Sequence, residues 1–507
     1  MSPSRPVATS TLWQMLSQAA MALLSIITVK FVAMGLSKDL AGLYNSSYGY
    51  LQLFGILADF GLYAVAVREI SKSADRPRVL RSLIILRTLI SAVALGAALL
   101  IVWSVPGWMS SPLALGVTIA SLVPIFTLQA GILRTVFQVE YKLHYVFIAE
   151  VTQRLLTTTL IAATVLISGR LSTDVSTLYL LLLWGGLGAV WLWAASSFFV
   201  WKLWKIRPLL FFPKGRLARV LDAGTLQKLF LLAFPFGIAY LFLALYRQSD
   251  VTLIAILRDD FDLQNAYYGF VQRMTDMAFI IPTFLLNSTL PAIVAREKDG
   301  RDTRGFLGRI LLVLILLGIV AFLFGVLWSR ELSALLTTPD YLSTDARAGT
   351  DTALRLVSIP MLLNGIILYG FYMLLQRHAW RQLVATLAGG ALLSLILNLW
   401  WIPRDGFVGA AHTSIVVHIA LALVLVPQAQ TILPARLPDG LFVRCAFFAA
   451  LAAATLVFLK PLLISGVATI VFLGVAVALL GVFGWMLGLR ALLSDVPMEA
   501  DSSSAST

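Results

Sequence analysis

The chain has 507 residues, of which 59% are hydrophobic and 12% are charged, and its mean hydropathy is +0.90. A soluble protein of this length needs far more polar surface, so the composition excludes that class. The formal net charge of +13 is typical of basic loops in a membrane protein, and we predict no nucleic-acid partner. Because Cys445 is the single cysteine, neither a disulfide nor a cysteine-based metal site can form within the chain. His412 and His418 lie six residues apart on different faces of one predicted helix, so we predict no metal site there, and we predict no cofactor.

Apolar runs recur along the whole chain. A run of about 20 residues is long enough to cross about 30 Å of hydrocarbon as a helix. A membrane β-barrel would instead show short segments of alternating hydrophobicity. We therefore predict an all-α integral membrane protein with about 14 transmembrane helices. In chain order the predicted spans are 11–35, 43–67, 82–103, 112–133, 146–168, 177–200, 229–257, 265–294, 307–328, 352–375, 383–401, 407–427, 443–463 and 466–490.

The segments between the spans differ strongly in charge. The loops 68–81, 201–220 and 295–309 are rich in lysine and arginine, whereas the loop 258–264 ("RDDFDLQ") is acidic. In this layout about 25 basic residues lie on one side of the membrane and about 7 on the other, which makes the basic side the cytoplasm. We predict a multi-pass protein of the cell (inner) membrane with both termini in the cytoplasm.

Two regions of the chain, 37–72 and 258–300, resemble each other. Each has a short external loop, a start that carries tyrosines, a long helix and a basic cytoplasmic end, "AVREISK" in one and "VAREKDG" in the other. Their separation of about 225 residues spans six helices, so the two copies have the same orientation in the membrane. Parallel six-helix repeats related by an axis along the membrane normal are a transporter architecture.

Four segments resemble one known family. They are 37–71, "FPFGIAYLFLALYRQSDVTLIAIL" (234–257), "NAYYGFVQRMTDMAFIIPTFLLNSTLPAI" (265–293) and "DGFVGAAHTSIV" (405–416). In order and spacing they resemble the polysaccharide transporter, or oligosaccharide flippase, family of the multidrug/oligosaccharidyl-lipid/polysaccharide exporter superfamily. The resemblance covers roughly residues 11–430.

This resemblance implies two parallel six-helix lobes around a central cavity that opens alternately to each side, with two further helices at the C-terminal end. The implied substrate is an oligosaccharide on polyprenyl pyrophosphate, moved from the inner to the outer leaflet. Action as a monomer is expected, and polysaccharide assembly enzymes are possible partners. The implied division is an N-lobe (1–200), a cytoplasmic linker (201–228), a C-lobe (229–427), helices 13 and 14 (428–490) and a polar tail (491–507).

The predicted spans also contain charged side chains. A charge at the centre of a bilayer costs about 2.5–3.5 kcal/mol on insertion scales. Such side chains must face a water-filled cavity, pair with one another, or reach the membrane surface. They are Lys30, Arg87, Arg154, Arg247, Arg273, Arg355, Asp59, Glu150, Asp250 and Asp276.

Two arginine–aspartate pairs are the strongest candidates for a binding site. Arg247 and Asp250 lie three residues apart, as do Arg273 and Asp276 on the next helix, so each pair shares a helix face. The arginine fork fits phosphate oxygens and keeps its charge at any pH, which suits a pyrophosphate. The alternative is that each pair only neutralises itself and holds two helices together.

Further candidates are weaker. Lys30 and Arg154 are added to the ligand-binding set, although Lys30 can snorkel to the external surface and Arg154 can pair with Glu150, one turn earlier. Arg87 and Arg355 lie near cytoplasmic span ends and are expected to reach the interface. The candidates for ion coupling are Asp59, Asp250 and Asp276.

The predicted function is that of a flippase for lipid-linked oligosaccharide, working by alternating access. A peptidoglycan-precursor exporter and a multidrug exporter of the same superfamily are the alternatives, and an arginine-lined cavity favours an anionic head group over a cationic drug. A membrane polysaccharide polymerase or ligase is disfavoured because no cluster of external acids or histidines is evident. We predict that the chain is not an enzyme, and the absence of a GxxxxGK[ST] motif argues against direct use of ATP.

Overall fold

The computed structural model describes residues 4–205, 223–437 and 439–486, and within these ranges the chain forms helices and turns without a β-sheet. Most of the predicted linker and all of the predicted polar tail lie outside the described residues. The helices are α1 Ser4–Gly35, α2 Lys38–Asp59, α3 Leu62–Lys72, α4 Arg76–Ser104, α5 Pro106–Met109, α6 Pro112–Ala120, α7 Leu122–Val139, α8 His144–Ser168, α9 Val175–Trp204, α10 Ala223–Leu257, α11 Phe261–Lys298, α12 Thr303–Leu327, α13 Ser329–Leu336, α14 Thr350–Gln376, α15 Trp380–Asp405, α16 Phe407–Ile432, α17 Leu441–Leu459 and α18 Gly466–Gly484.

Each predicted span coincides with one or two of these helices, which confirms the all-α membrane class. In the described part of the chain, 12 helical segments are long and apolar enough to cross a membrane. The two predicted spans outside this set, 43–67 and 265–294, are those of the internal repeat. Both carry charged or amide side chains along their length, such as Asp59 in the first and Arg273 in the second. A total of 14 membrane crossings therefore stays a prediction.

The first of these two spans is broken where α2 ends and α3 begins. Phe60 (φ 45°) and Gly61 (φ 67°) both adopt left-handed backbone angles, which a right-handed helix cannot contain. The break packs against α10. The Phe60 ring stacks on Phe230 with a centroid distance of 5.4 Å, and a Cβ on Gly61 would lie 2.5 Å from the Cβ of Phe236. Tertiary packing, and not only local sequence, therefore fixes the break.

The chain divides into two compact units. Unit 1 contains α1–α10 with the start of α11 and the end of α15. Inside it, α3, α4, α7 and α10 share an apolar core that includes Leu83, Val136 and Ala233. The two predicted six-helix lobes divide the chain by residue number and not by contacts, and they stay a prediction. Unit 1 comprises Met1–Phe270, Leu336–Tyr341 and Asn398–Phe407, and unit 2 comprises Val271–Leu335, Leu342–Leu397 and Val408–Thr507.

Unit 2 is organised around the crossing of α12 and α14. A Cβ on Gly318 would lie 2.4 Å from the carbonyl oxygen of Leu362, and one on Gly325 would lie 2.6 Å from the Cβ of Ser358. Small residues at such crossings let two membrane helices approach at backbone distance. On another face α12 packs against α17, where Phe448 is buried.

Candidate functional site

The two copies of the internal repeat meet inside unit 1. Asn45 and Asn265 are in contact and are 220 residues apart, and the same offset aligns "YGYLQ" (48–52) with "YGFVQ" (268–272). The register of the repeat is therefore 220 residues, close to the predicted separation. Equivalent positions of the two copies, α2 in one and α11 in the other, lie next to each other.

Buried hydrogen bonds join the two copies. The Asn45 Nδ2 donates to the carbonyl oxygen of Asn265 at 3.1 Å. The Asn265 Nδ2 donates to the Ser46 Oγ at 2.9 Å and to the carbonyl oxygen of Val251 at 3.0 Å. The side chains of Asn45, Ser46 and Asn265 are buried. As long as the site stays closed to water, each of these side-chain amide hydrogen bonds is costly to lose, because water cannot replace it.

Glycines bring the two helices together at backbone distance. A Cβ on Gly42 would lie 1.5 Å from the carbonyl oxygen of Asp262, its equivalent in the other copy, and one on Gly269 would lie 2.5 Å from the Cβ of Asn45. No larger side chain fits at either position without moving a helix. We call the set Gly42, Asn45, Ser46, Asp262, Asn265 and Gly269 the repeat contact.

Asp250 lies beside the repeat contact and is 3% exposed. Its Oδ2 accepts a hydrogen bond from the Tyr268 Oη at 2.8 Å, and its Oδ1 accepts one from the Asn398 Nδ2 at 3.0 Å. Both partners are fully buried. Asp250 thus takes its hydrogen bonds from neutral donors on α11 and α15, and not from Arg247 one turn earlier. Arg247 itself is half-buried.

The other predicted site residues lie elsewhere on the helices. Lys30 stands 220 residues before Asp250, so the two occupy equivalent positions on α1 and α10 with opposite charges. The Lys30 Nζ donates to the carbonyl oxygen of Thr337, in the short segment of unit 1 that follows α13. Arg273 and Asp276 lie on the part of α11 that belongs to unit 2, and both are half-buried.

Glu150 pairs with Arg134 and not, as the spacing suggested, with Arg154. The Arg134 Nη1 lies 2.7 Å from the Glu150 Oε1, and the Ser17 Oγ donates to the other carboxylate oxygen at 2.5 Å. Arg154 instead donates to the Ser25 Oγ at 2.6 Å. Arg134 is absent from the charges predicted within the spans because the predicted span ends at residue 133, whereas α7 continues for another turn and a half to Val139.

Asp59 forms an ion pair with Arg87, with 2.7 Å between the Arg87 Nη2 and the Asp59 Oδ1. Arg87 also donates to the carbonyl oxygen of Ala58 at 3.1 Å. Its side chain is 1% exposed, so the expectation that it reaches the interface is wrong. At the end of α2 the carbonyl oxygen of Ala58 and the carboxylate of Asp59 lie close together, and Arg87 binds both. Arg355, by contrast, is exposed.

The loop between α10 and α11 is held by charges outside the spans. The Arg258 Nε donates to the Asp260 Oδ1 at 2.8 Å, and its Nη1 donates to the carbonyl oxygen of Pro403 at 2.9 Å. The Gln264 Nε2 donates to the other oxygen of Asp260 at 2.8 Å. The hydrogen bond from Arg258 holds the pKa of the Asp260 carboxyl below its usual range. This loop ties the start of α11 to the end of α15, the two helices that supply the partners of Asp250.

Solved structures share this fold. The Lipid II flippase MurJ, in an inward closed conformation, aligns over 96% of this chain and 100% of its own with a TM-score of 0.66 at 13% identity. An inward-facing multidrug resistance MATE family transporter of the MOP superfamily aligns over 81% and 94% with a TM-score of 0.61 at 11% identity. A MOP superfamily transporter from Pyrococcus furiosus aligns over 85% and 97% with a TM-score of 0.54 at 12% identity. The fold is therefore that of MOP superfamily transporters.

The family follows from the sequence. Residues 7–285 match the family described as polysaccharide biosynthesis protein. This match spans more than half of the chain, so the chain belongs to that family, which confirms the predicted resemblance. No curated protein matches the chain.

Proposed function

We propose that this protein moves an oligosaccharide linked to polyprenyl pyrophosphate from the cytoplasmic to the outer leaflet by alternating access. The family match carries the proposal, because a chain with an exporter fold in a family of polysaccharide biosynthesis is expected to carry a polysaccharide precursor. The proposal includes action as a monomer, a place in the inner membrane and cytoplasmic termini. Polysaccharide assembly enzymes would supply the substrate and take the product.

The head group is proposed to contact the basic residues within the spans. Arg247 and Arg273 would bind pyrophosphate oxygens with their planar forks, with Lys30 and Arg154 as further contacts. Support comes from the half-buried position of these side chains in apolar helices, where a charge without a function is expensive. The lipid tail would stay in the bilayer, so only the polar head needs a path through the protein.

The repeat contact is proposed to close the external side during part of the cycle. The predicted topology places the starts of α2 and α11 near the outer face, and these starts touch through Gly42 and Asn45. Opening to the outside would then have to separate them. The contact has few apolar atoms and a small set of amide hydrogen bonds, each worth about 0.5–1.5 kcal/mol net. Such a contact can break and reform in every cycle.

For coupling to an ion, the structure favours Asp250 among the three acidic candidates. Asp59 is already paired with Arg87, which neutralises it. Asp250 has neutral partners at both oxygens, so a proton or a monovalent cation can still compensate its charge. Asp276 is a further candidate on α11. We propose that binding at Asp250 is linked to the position of α11 and α15, because Tyr268 and Asn398 hold it from those helices.

A second candidate is export of another cargo of the superfamily, such as a peptidoglycan precursor or a drug. The similarity to a lipid II flippase and to a multidrug transporter favours keeping this alternative. It differs from the first proposal in the cargo and not in the mechanism. The cargo therefore has to be tested directly.

The test is a flipping assay in reconstituted vesicles. A fluorescent polyprenyl-pyrophosphate oligosaccharide is followed between leaflets with a membrane-impermeant quencher, for the wild type and for Arg247→Ala and Asp250→Ala. Loss of a charged hydrogen bond predicts a rate lowered by about tenfold or more in each variant. Arg301→Ala serves as the matched control, because Arg301 is exposed in the loop between α11 and α12. A wild type that is inert toward a panel of such lipids but exports a cationic drug contradicts the proposal.

A further inference from the structure

A half-open cavity of about 220 Å³ lies inside unit 1, away from Asp250 and the repeat contact. It is enclosed by α7, α8 and α9. Its lining combines apolar residues such as Leu192 with Thr127, Ser196 and the ion pair of Arg134 and Glu150. A water needs roughly 10–15 Å³ of such space, so the cavity holds far more than one or two waters.

The described residues take up only part of the hydrogen-bonding capacity of this ion pair. The side chains of Arg134 and Glu150 are 23% and 12% exposed. A guanidinium has five N–H donors and a carboxylate about four acceptor sites. Among the described residues, Arg134 donates to Glu150, and Glu150 accepts that bond and one from Ser17. Several donors and about two acceptor sites therefore remain for a ligand in the cavity.

This chemistry selects a class of ligand. The pair is neutral as a whole, so a pyrophosphate placed there would gain from Arg134 but meet the negative charge of Glu150. An apolar molecule would leave the remaining donors and acceptors without partners, which costs about 1–3 kcal/mol for each buried group. A neutral group with many hydroxyls fits, because each hydroxyl both donates and accepts. The half-buried side chain of Leu192, which also lines the cavity, offers an apolar surface for its carbon atoms.

We propose that this cavity binds a sugar ring of the oligosaccharide, with Glu150 accepting from its hydroxyls and Arg134 donating to them. This inference rests on the proposed function for the identity of the head group, and it adds a sugar subsite separate from the pyrophosphate contacts. Arg134 lies five residues before the end of α7 and Glu150 six residues after the start of α8, about 7.5 Å and about 9 Å along the respective helices. The predicted topology places these ends at the cytoplasmic side, where the substrate is loaded.

Gly131 allows a sharp test. It lines the cavity, and a Cβ added to it would meet nothing within 4 Å, so the series Gly131→Ala, Gly131→Val and Gly131→Leu fills the cavity progressively without a steric conflict at the Cβ. Gly96 on α4 also has open space around its Cβ and lies outside the cavity. Gly96→Leu is therefore the matched control for the loss of a helical glycine.

The probes are free sugars: hexoses, N-acetylhexosamines, 6-deoxyhexoses, uronic acids and short oligosaccharides of these. Binding to purified protein is measured by saturation-transfer NMR and by the rise in unfolding temperature. The wild type and Gly96→Leu should bind at least one probe, Gly131→Ala should bind it more weakly, and Gly131→Leu should not bind it. Removing the pair as Arg134→Gln with Glu150→Gln keeps the site neutral and should weaken binding by about tenfold to a hundredfold.

Each of two results would overturn the sugar site. One is a wild type that binds none of these sugars, and the other is equal binding by the wild type and Gly131→Leu, which would place the sugar elsewhere. The flipping assay is independent of this outcome. Sugar binding without flipping contradicts the proposed function and leaves the subsite intact, whereas flipping that is unchanged in Gly131→Leu, without sugar binding, removes the subsite alone.

Discussion

At the residue scale, the hydroxyl of Tyr268 is the sharpest test of the site around Asp250. Tyr268→Phe keeps the ring but leaves the buried Asp250 Oδ2 without its donor. An unsatisfied buried acceptor costs about 1–3 kcal/mol, so we expect a lower unfolding temperature in detergent and slower transport. The matched control is Tyr267→Phe, one residue earlier. Tyr267 is equally buried, and its ring contacts with Tyr341 and Phe407 do not depend on the hydroxyl.

The comparison of the two phenylalanine variants decides the role of this hydrogen bond. If both variants lose the same stability and activity, Tyr268 acts through general packing and Asp250 has no special dependence on it. A loss confined to Tyr268→Phe supports a network in which the donor holds the carboxylate. If Tyr268→Phe loses transport activity but keeps its stability, the hydrogen bond serves ion coupling and not folding.

At the residue scale, the sequence marks the buried charge of Asp250 but not the side chains that bind it. The cost of charge in hydrocarbon singles out Asp250 as a candidate, because that cost depends on residue type and depth alone. The partners Tyr268 and Asn398 carry no such signal. A tyrosine and an asparagine are common in membrane helices, and Asn398 is 148 residues from Asp250. Only the packing of α15 against α10 brings the two side chains together.

At the element scale, the repeat contact predicts the effect of a side chain at Gly42. In Gly42→Val the new Cβ would overlap a backbone carbonyl, at 1.5 Å in the present arrangement, so α2 and α11 have to separate. We expect a shift toward an arrangement open to the outside. The measurement uses Ala266→Cys, a fully buried position beside Asn265, in a Cys445→Ala background. Labelling by an impermeant maleimide added outside should rise about tenfold, a shift of about 1.4 kcal/mol.

Gly55→Val on the same helix is the control for this experiment. A Cβ on Gly55 would lie 3.8 Å from the nearest atom, the Cβ of Pro124, which is an ordinary contact. Its labelling rate should equal that of the Ala266→Cys parent. Equal rates for Gly42→Val and Gly55→Val would mean that the repeat contact does not seal the external side.

The break between α2 and α3 gives a second prediction at this scale. Gly61 and Gly440 both have positive φ, 67° and 71°, but only at Gly61 would a Cβ meet a neighbour, the Cβ of Phe236 at 2.5 Å. We expect Gly440→Ala to lose about 1–2 kcal/mol for the backbone conformation and Gly61→Ala to lose clearly more. Unfolding in denaturant measures both. Equal losses would show that the contact with α10 adds nothing to the break.

Most helices could be predicted because one property defines them. About 20 apolar residues need a helix to satisfy their backbone in lipid, and this requirement is local. The break at Phe60 is different, because a phenylalanine rarely adopts left-handed angles and does so here while stacked on α10. The extension of α7 to Val139 was missed for a related reason. Its last six residues include the polar side chains of Arg134, Thr135 and Gln138, so hydropathy alone ends the span too early.

At the scale of the whole molecule, the internal repeat was the most informative pattern. Similar loops and tyrosines predicted two copies in the same orientation, and the register of 220 residues then pairs Gly42 with Asp262 and Lys30 with Asp250. Sequence likeness alone does not show that the copies touch, because contact depends on how the helices pack. The contact between equivalent residues makes the repeat a feature of the packing as well as of the sequence.

The orientation of the chain in the membrane is the last prediction, and the direction of transport depends on it. Loop charges place Ala74 in the cytoplasm and Ala346 outside, and both side chains are exposed. In a Cys445→Ala background, an impermeant maleimide added to intact cells should label Ala346→Cys but not Ala74→Cys until the membrane is permeabilised. The two alanines are matched in size and exposure, so each variant controls for the reactivity of the other. The reverse pattern would invert the topology, because the repeat contact would then seal the cytoplasmic side and the cavity beside Arg134 would open to the outside.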